Sequence, residues 1–476
     1  MPECRLAMSG RVDRPGSAEW AGMSQPRPLG TPDVPWITDA DVAATYGVDS
    51  SFGVHAPAEF EVVRARDEAD VVEVLRYAAA TRTPVVPQGA RTGLVGAAVA
   101  KPGSIVLSTM GLNDITEIDP VDGLAVCGPG VVTDELKKAV AAQGLSYPPD
   151  PASAASSSIG GNVATNAGGL CCVKYGVTAD YIRGLRVVLP GGDVMTTGRR
   201  TAKSSVGPDL TGLVVGSEGT LGVVTSVVTR LIPAPDPALT ALGTFATLEA
   251  AADAIVALRR DPHPPCLLEF LDEPSIAAIQ HLGDYGFPQG CAAALLVQAD
   301  RPGHVADDVA RYAQLMERSG AQEIAVADDA QEAEVLLAGR RALHHAIETK
   351  GPHLIEDMCV PIRALPALVA RGREVCAEHG IEVAIAGHGG DGNLHPALFF
   401  DPADPDETRR AWAAFGDLVD LTLTMGGTIS GEHGIGTLKA SYLPRQLDAA
   451  ALARLRAIKG VFDPHGLMNP GVGYTA

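Results

Sequence analysis

The segment Pro148-Pro-Asp-Pro-Ala-Ser-Ala-Ala-Ser-Ser-Ser-Ile-Gly-Gly-Asn-Val-Ala-Thr-Asn-Ala-Gly-Gly169 is a long run of small and polar residues. Glycine and hydroxyl residues supply hydrogen bonds without bulk, which suits a wide, flat, polar ligand that lies along the chain. A flexible linker has a similar composition. The apolar residues Ile159 and Val163 and the pair Asn162 and Asn166 favour an ordered loop instead.

Two shorter glycine clusters lie on either side of this loop. Pro87-Gln-Gly-Ala-Arg-Thr-Gly-Leu-Val-Gly96 directly follows a predicted strand, and Gly216-Ser-Glu-Gly-Thr-Leu-Gly222 leads into another. The lack of bulk lets backbone amides approach an anion such as a pyrophosphate. The first cluster is not G-x-G-x-x-G, so it does not indicate a Rossmann nicotinamide site, and by itself it fits a tight structural turn equally well. Three such clusters in one domain indicate a site for an anionic cofactor.

The composition limits the class of protein. The chain has 476 residues, of which 46% are hydrophobic and 20% charged. This length and composition predict about two or three folded domains. The net charge of −20 works against nonspecific binding to nucleic acid or to an anionic membrane surface. A polyanionic cofactor is therefore expected to be held mainly by backbone N–H groups, and no nucleic-acid partner is expected.

Neither a targeting segment nor a cysteine site is indicated. No apolar run approaches the roughly 20 residues of a transmembrane segment, and the N-terminal residues lack the apolar region of a signal peptide. The predicted location is the cytoplasm, with membrane association only through a partner. The eight cysteines form no C-x-x-C pair, which argues against a disulfide framework, an iron–sulfur cluster or a Cys-type zinc site.

The residue pattern divides the chain into segments. Residues 1–35 are rich in Pro, Gly, Ser and charge and are predicted to be a disordered tail or an artefact of start-site choice, since Met23 would serve equally well. The proline-rich Pro233-Ala-Pro235 is the predicted domain boundary. Beyond it, a βαββαβ order with an extra helix from Pro274 to Leu282 predicts an antiparallel sheet with helices on one face. From about Gln331 the chain is predicted to be helical, except for one strand-loop-strand.

Local signals predict individual elements in the first half of the chain. Asp67 to Thr83 has helical periodicity. Thr133 is predicted to cap a helix from Asp134 to Gln143, because a threonine before a helical pattern is a common N-cap. Two short apolar runs, Gly184 to Leu189 and Val194 to Thr197, are separated by turn residues and predict a hairpin.

A fourth constellation combines histidines and a glutamate with glycine loops. The segment His388-Gly-Gly-Asp-Gly-Asn-Leu-His395 lies between two predicted strands, and Ser430-Gly-Glu-His-Gly-Ile-Gly436 contains Glu432 and His433. Two imidazoles and a carboxylate with open positions are a common catalytic metal arrangement. His433 cannot easily ligate the same ion, because adjacent residues point apart, and it is better placed as a base. Two unrelated glycine loops are the alternative interpretation.

Together these motifs resemble those of the flavin-dependent D-2-hydroxy-acid dehydrogenases. This family includes D-lactate dehydrogenases of the flavin type, the flavin subunit of glycolate oxidase and D-2-hydroxyglutarate dehydrogenase, and it belongs to the vanillyl-alcohol-oxidase superfamily. The resemblance runs from about residue 40 to Phe462-Asp-Pro-His-Gly-Leu-Met-Asn-Pro-Gly471. It is carried mainly by the motifs at 387–395, 431–436 and 216–222.

The resemblance implies an α+β fold and a particular domain order. A two-lobed FAD-binding domain of the p-cresol methylhydroxylase (PCMH) type is expected at 54–233. A cap domain of the FAD-linked oxidase C-terminal type, with an antiparallel sheet and C-terminal helices, is expected at 234–430. The segment 431–473 is expected to return to the flavin domain. The implied activity is oxidation of a small D-2-hydroxy acid, D-lactate or glycolate-like, to the 2-oxo acid by hydride transfer to flavin.

The resemblance also implies roles for individual polar residues. The expected ligands of a divalent metal, usually zinc in this family, are His388, His395 and Glu432. His433 matches the catalytic base, and Arg340 matches the arginine that binds the substrate carboxylate. A solvated helix face is the alternative for Arg340, because Arg341 next to it leaves the register open.

The glycine clusters are expected to hold FAD. The first two match the family's pyrophosphate and ribityl contacts, and the third lines the adenine side or the flavin edge. The expected contacts are Pro87, Gln88, Gly89, Ala90, Arg91, Thr92, Gly93, Pro151, Ser157, Gly160, Gly161, Asn162, Thr165, Asn166, Gly168, Gly169, Tyr175, Gly176, Glu218, Gly219, Gly222, Val223 and Val224. The first cluster contains no histidine, so FAD is expected to be noncovalent. Its Ala90-Arg91 departs from the glycine–threonine core of many relatives, so its geometry is expected to differ.

Two further departures bear on the substrate. Alignment on Asp357 places Ile355 where the hydroxyglutarate enzyme has a lysine for the distal carboxylate. Ala397 stands where that enzyme has a polar residue. Both changes favour a small monocarboxylate over a dicarboxylate.

The sequence is also compatible with other functions, and it bears on the partners of the protein. A D-2-hydroxyglutarate-type dehydrogenase is one alternative, and a metal-dependent hydrolase that uses the same two histidines and glutamate is another. Two further alternatives are a FAD enzyme that acts on alcohols or makes ether lipids, and a non-catalytic flavin subunit. Because no cysteine cluster is present, the reduced flavin is expected to pass electrons to an acceptor or partner protein outside this chain. The assembly is expected to be a homodimer or a multi-subunit complex.

Overall fold

The computed structural model describes residues 31–57, 59–288 and 290–475. Residues 1–30 of the predicted tail lie outside the described residues, and 31–35 lead directly into the first strand. No helix in the described ranges is both long and apolar enough to span a membrane.

The first half of the chain contains two large sheets with helices packed against them, and a separate antiparallel pair of short strands at 145–146 and 232–233. The strands are β1 (Trp36–Ile37), β2 (Phe60–Arg64), β3 (Val85–Gln88), β4 (Ser104–Ser108), β5 (Ile115–Asp119), β6 (Leu124–Cys127), β7 (Leu145–Ser146), β8 (Ile182–Val188), β9 (Val194–Gly198), β10 (Val223–Arg230) and β11 (Ile232–Pro233). The helices are α1 (Ala40–Ala44), α2 (Glu68–Thr81), α3 (Thr133–Ala141), α4 (Ile159–Thr165), α5 (Cys172–Tyr175) and α6 (Leu210–Val214). The sheet orders are β1-β2-β4-β3 and β5-β6-β10-β8-β9. These two sheets form two lobes.

The periodic segments of this half fold as predicted. The helix expected from Asp67 is confirmed as α2, whose N-cap Asp67 accepts a hydrogen bond from the backbone of Asp70. Its buried stripe includes Val71 and Leu75, which pack on the first sheet. The predicted hairpin is confirmed as β8 and β9, which pair antiparallel.

Two local predictions in this half are wrong. The N-cap of α3 is Val132, without a side-chain cap, and Thr133 is the first helical residue. The Thr133 hydroxyl instead accepts a hydrogen bond from Asn162 Nδ2 at 2.8 Å, so it anchors the long glycine-rich segment. That segment is not wholly a loop, because Ser158 caps α4 within it and Asn166 ends the helix with a left-handed backbone.

The second half of the chain is built on one large sheet. Its strands are β12 (Leu239–Phe245), β13 (Leu267–Asp272), β14 (Ala293–Ala299), β15 (Ala321–Val326), β16 (His353–Ile355), β17 (Met358–Cys359), β18 (Glu382–His388) and β19 (Asn393–Phe399). Its helices are α7 (Leu248–Arg259), α8 (Glu273–Leu282), α9 (Val305–Arg318), α10 (Ala330–Lys350), α11 (Leu365–Glu378), α12 (Pro405–Thr424), α13 (Leu443–Gln446) and α14 (Ala449–Phe462). The order is β15-β12-β14-β13-β18-β19-β16, with β17 also paired to β19.

The predicted antiparallel sheet is confirmed, but helices cover both of its faces rather than one. Along β14, Leu295 and Val297 join a core with α7, α9, α11 and α12. The alternate residues Ala294 and Leu296 join a second core with α8 and α10. A strand that is buried on both sides has a continuous apolar sequence instead of alternation, which is the pattern of β14. The short strands β16 and β17, after α10, were not predicted.

The C-terminal segment returns to the first half of the chain. Met468 pairs with Val85 of β3 in a parallel bridge. The buried ammonium of Lys459 donates hydrogen bonds to the carbonyls of Thr220 and Met468, at 2.6 and 2.8 Å. The loop at 431–436, at the start of this segment, lies next to the glycine clusters.

Candidate active site

The three glycine clusters meet in space. A Cβ atom on Gly89 of the first cluster would clash with the Ser158 hydroxyl of the second. The second and third clusters are joined by a hydrogen bond from Gly216 N to the carbonyl of Val163, at 2.9 Å. A Cβ atom on Gly219 of the third cluster would lie 3.0 Å from Pro87 of the first. The clusters therefore form one surface of backbone and small side chains, called here the glycine cradle (87–93, 151–169 and 216–222).

The predicted FAD contacts fall into two groups on this surface. Half-buried residues that line it are Gly89, Ala90, Thr92, Gly93, Pro151, Gly160, Gly161, Thr165, Asn166 and Gly219. Several other predicted contacts use their side chains inside the protein. Gln88 Nε2 donates to the carbonyls of Tyr46 and Ala98, and the hydroxyl of Tyr175 bonds to Asp300 in the second half of the chain. In the first group Pro151 has no N–H, and the N–H groups of Gly160, Gly161 and Asn166 already donate within the protein. The candidates for binding a pyrophosphate are therefore the N–H groups of Gly89, Ala90, Thr92, Gly93 and Gly219.

Arg91 occupies the point at which the first cluster departs from its relatives. Its φ is 65°, the left-handed region that glycine adopts without strain. Its guanidinium donates to the carbonyl of Thr45 and lies 4.9 Å from the centre of the Tyr46 ring. These contacts stabilise a backbone conformation that costs roughly 1–2 kcal/mol for a non-glycine residue.

The two histidines of the fourth constellation converge because of strand register. In the β18–β19 hairpin, Ala386 is opposite His395, and His388 lies two residues further along the same strand face. Their Nε2 atoms lie 3.2 and 3.3 Å from one oxygen of Glu432, for His388 and His395 respectively. The three ligand atoms lie within 4.8 Å of one another, so the donor set fits a divalent cation.

A buried glutamate that the sequence patterns did not single out connects this cluster to Arg340. Glu269 on β13 is fully buried, and one carboxylate oxygen lies 2.6 Å from His388 Nδ1. The other oxygen accepts a hydrogen bond from Arg340 Nε, also at 2.6 Å. A carboxylate on Nδ1 favours the tautomer whose Nε2 lone pair is free for a metal. Glu269 could have been found as the charge in the interior of the otherwise apolar strand, which ends at a second carboxylate, Asp272, since a buried charge needs a partner.

The charges around His388 suit a bound cation. Burial opposes protonation of His388, but Glu269 and Glu432 raise the pKa of His388 well above its usual range. Two carboxylates therefore favour positive charge at this point.

The packing of α10 shows which of its two adjacent arginines faces the site. The Arg340 side chain is only 14% exposed and faces Glu269, whereas Arg341 is exposed and pairs with Glu334. Helical rotation places adjacent residues on different faces, so only Arg340 reaches the site. The alternative of a solvated helix face applies to Arg341.

A second missed residue, Asp357, fixes the loop that carries Glu432 and His433. One oxygen of this buried carboxylate accepts hydrogen bonds from the backbone N–H groups of Glu432 and His433, at 3.0 and 2.8 Å, and from the Ser430 hydroxyl at 2.7 Å. Although burial acts to raise it, the nearby ammonium of Lys439 helps to hold the pKa of Asp357 below its usual range. Asp357 therefore organises the loop as a charged acceptor.

His433 lies beside the ligand cluster. Its ring stacks on His395 with 4.8 Å between centroids, and its Nε2 is 3.8 Å from the Glu432 oxygen that faces the other two histidines. Burial and the nearby His395 lower the pKa of His433 to about 4, against the effect of Asp357. The imidazole is therefore neutral at pH 7 and can accept a proton.

The glycine cradle also touches a metal-ligand candidate directly. A Cβ atom on Gly168 would clash with the second carboxylate oxygen of Glu432. We expect Gly168→Ala to displace Glu432 and weaken metal binding at least tenfold, while FAD stays bound. Chelator competition measures the first effect and visible absorbance the second. Gly460→Ala is the control because nothing lies within 4 Å of its Cβ position. Unchanged metal affinity in Gly168→Ala would contradict this packing argument.

The fold is shared with solved structures of distant sequence. The structure of p-cresol methylhydroxylase with substrate bound has a TM-score of 0.75 and 19% identity, covering 92% of this chain and 93% of its own. The predicted fold class is therefore confirmed as the α+β, two-domain fold of the PCMH-type FAD oxidases.

Family models match both halves of the chain. The model of a FAD binding domain matches residues 61–198, and that of the FAD linked oxidases, C-terminal domain, matches 234–472. The chain belongs to the FAD-linked oxidases and is a FAD-dependent oxidoreductase. This family assignment argues against the alternative of a metal-dependent hydrolase, which would leave the glycine clusters without a role.

Two relatives illustrate the range of activities in this family. The glycolate oxidase subunit GlcD of Bacillus subtilis is 37% identical over 412 residues, which cover 86% of this chain and 88% of the relative. The D-lactate dehydrogenase of Anaerostipes hadrus is 34% identical over 420 residues, with the same coverages of 86% and 88%. Both names describe oxidoreductases of 2-hydroxy acids, the predicted class of activity.

Proposed function

We propose that this protein oxidises a small D-2-hydroxy acid, D-lactate or a glycolate-like acid, to the 2-oxo acid, using noncovalent FAD and a divalent metal, zinc being the expected ion. The observation that carries the proposal is the convergence of Arg340, the His388–His395–Glu432 cluster and His433 beside the glycine cradle. One carboxylate anchor, one ligand set and one neutral base are the groups that dehydrogenation of a hydroxy acid requires.

The half-buried residues of the glycine cradle hold FAD in this proposal. The clusters leave backbone at the surface, and the cradle itself contains no histidine, which is why we assign a noncovalent cofactor. The bound flavin supplies the two-electron acceptor for the reaction. The chain's own contribution is to keep this surface free of bulk and to hold it against the loop at 431–436.

His388, His395 and Glu432 hold the metal in this proposal. Two imidazoles and one carboxylate leave open coordination positions, the arrangement of catalytic rather than structural zinc. The ion supplies Lewis acidity toward the substrate hydroxyl. Glu269 serves the cluster by orienting the His388 ring.

Arg340 binds the substrate carboxylate. Its Nε donates a hydrogen bond to Glu269, and its two terminal nitrogens have no hydrogen-bond partner among the described residues. A planar guanidinium with two free nitrogens can pair with a carboxylate in bidentate fashion. Because Glu269 contacts both Arg340 and His388, the carboxylate end and the hydroxyl end of the substrate are positioned by one rigid group.

His433 removes the hydroxyl proton. A neutral imidazole 3.8 Å from the oxygen of Glu432 is close to where a substrate hydroxyl on the ligand cluster would lie. The hydroxyl proton passes to His433, C–O becomes C=O, and the Cα hydrogen leaves as hydride with the two electrons for which bound FAD would be the acceptor. General base catalysis of this kind typically contributes about 10²–10⁴-fold.

The strand surface near His395 favours a small substrate. Ile355 of β16 is directly opposite Ala397 of β19, and Ala397 lies two residues from His395 on the same face. This apolar pair offers no charge to a second carboxylate, and burying an unpaired carboxylate is strongly unfavourable. A monocarboxylate is therefore the favoured substrate.

The electron acceptor lies outside this chain in our proposal. The sequence has no cysteine cluster for an internal iron–sulfur relay. The relative named as a glycolate oxidase subunit supports a multi-subunit complex as the setting, with a homodimer as the alternative.

A substrate comparison tests the proposal. Initial rates with an artificial dye acceptor are measured for D-lactate, glycolate, L-lactate and D-2-hydroxyglutarate, and the 2-oxo product is identified by mass spectrometry. We expect kcat/KM for D-lactate or glycolate to exceed that for D-2-hydroxyglutarate by at least 100-fold. A preference for D-2-hydroxyglutarate would establish the dicarboxylate alternative, and no activity with any acid would refute the proposal.

A further inference from the structure

Glu218 is the only charged residue in the third glycine cluster, and its backbone is unusual. Its φ is 51°, in the left-handed region, which the nearby Gly216 and Gly219 also adopt but which only glycine takes without strain. Its N–H donates to the carbonyl of Ala164 at 2.8 Å, and its carbonyl accepts from Asn469 Nδ2 at 2.7 Å. Other parts of the protein therefore hold both backbone groups of Glu218 in place.

The carboxylate of Glu218 is directed at the loop that carries His433. One oxygen accepts hydrogen bonds from the backbone N–H groups of Ile435 and Gly436, at 3.1 and 2.8 Å. A Cβ atom on Gly434 would lie only 2.6 Å from the same oxygen. The side chain is 8% exposed, so these amides are bound in a site largely closed to water.

Glu218 and Asp357 hold the loop at 431–436 from opposite directions. Asp357, from the second half of the chain, binds the N–H groups of Glu432 and His433. Glu218, from the cofactor-binding half, binds the two N–H groups that follow Gly434. Each half of the molecule therefore contributes one carboxylate to the same loop.

Retaining a carboxylate here is unfavourable for the fold by itself. Burial raises the pKa of Glu218 to about 7, although the two backbone donors act against this shift. A neutral side chain would avoid the cost of burying a charge. The two loop amides are what the carboxylate gains in return.

We propose that Glu218 is a positioning residue that couples the glycine cradle to the loop at 431–436. Through this contact the cradle, which holds FAD in our proposal, also fixes the position of His433. This inference rests on the proposed roles of the cradle and of His433. It assigns the Glu218 side chain to the loop and not to the cofactor, where the family resemblance had placed it.

Hydrogen exchange and flavin reduction on the holoprotein test this assignment. Glu218→Ala removes the acceptor, whereas Glu218→Gln keeps an acceptor oxygen of the same reach. Glu68→Ala is the matched control, because it removes a carboxylate of the same half that binds Arg186 and Thr225 and not the loop at 431–436. If Glu218→Ala does not fold, Glu218→Met, which retains the volume, replaces it.

We expect Glu218→Ala to retain FAD while the amides of Ile435 and Gly436 exchange at least tenfold faster. The limiting rate of flavin reduction should fall at least tenfold, with the substrate KM changed less than threefold. Glu218→Gln and Glu68→Ala should stay within threefold of the unaltered protein in both measurements.

Two results would overturn the proposal. Exchange at Ile435 and Gly436 that is unchanged in Glu218→Ala would show that the carboxylate does not hold the loop. Loss of FAD in both Glu218→Ala and Glu218→Gln would make Glu218 a cofactor contact. If none of the hydroxy acids reduced the flavin of the unaltered protein, the proposed function would fail. The exchange measurement would still decide the role of Glu218.

Discussion

Replacing His433 with Asn should leave FAD bound and slow its reduction by the D-2-hydroxy acid about 10²–10⁴-fold. His433 is a buried, neutral imidazole stacked on His395 and adjacent to the ligand cluster. Asparagine is close in size but cannot accept the hydroxyl proton at neutral pH. Stopped-flow absorbance under anaerobic conditions measures the reduction rate, and the spectrum before mixing measures FAD content.

The control for this prediction is His344→Asn. His344 lies on the exposed side of α10, where it pairs with Glu348, and has no contact with the ligand cluster. Its rate should match that of the unaltered protein. Full activity in His433→Asn would exclude His433 as the base.

Replacing Glu269 with Gln should weaken both metal binding and substrate binding. The fully buried carboxylate accepts from His388 Nδ1 and Arg340 Nε, so it neutralises positive charge on both sides. Glutamine keeps one acceptor oxygen but presents its amide nitrogen to the other donor and leaves Arg340 without a counter-charge. Loss of a carboxylate that orients a metal-bound histidine typically costs about 10–100-fold in affinity.

Chelator competition and the substrate KM measure the two effects of Glu269→Gln. We expect metal affinity to fall at least tenfold and KM to rise at least tenfold in the same protein. Glu334→Gln is the matched control, since Glu334 pairs with the exposed Arg341 one residue along α10. If Glu269→Gln kept both the metal affinity and KM, Glu269 would not connect the two parts of the site.

The site residues predictable from sequence are those whose signal is local. The glycine clusters and the segments 388–395 and 430–436 are local patterns that predicted an anionic cofactor and a metal site, and their resemblance to a known family predicted FAD. The pairing of β18 with β19 then explains why His388 and His395 converge, because the register places both on one strand face.

Residues whose role depends on tertiary contact escaped prediction. Glu269 and Asp357 are remote in sequence from the groups they bind, and only the pairing of β13 with β18 brings Glu269 to His388. Arg340 could not be separated from Arg341 until the packing of α10 was known. Glu218 lies in a motif that indicated cofactor binding, yet its side chain contacts the loop at 431–436, because the C-terminal segment folds back on the cradle.

In the fold, too, local features could be predicted and tertiary packing could not. The apolar stripe of α2 was sufficient to predict that helix, since one face must be buried. The two-sided burial of the large sheet could not be inferred from βαββαβ order alone. It became apparent when alternate residues of β14 were found in separate cores.

The most direct test of metal-assisted dehydrogenation by a flavin site is an anaerobic spectral titration of the purified protein before and after metal removal. The account predicts a yellow protein that is bleached by D-lactate or glycolate and not by L-lactate. It further predicts that the chelator-treated protein keeps its flavin spectrum, is no longer bleached, and regains the reaction when zinc is restored. Bleaching at an unchanged rate without metal, or no bleaching by any of these acids, would contradict it.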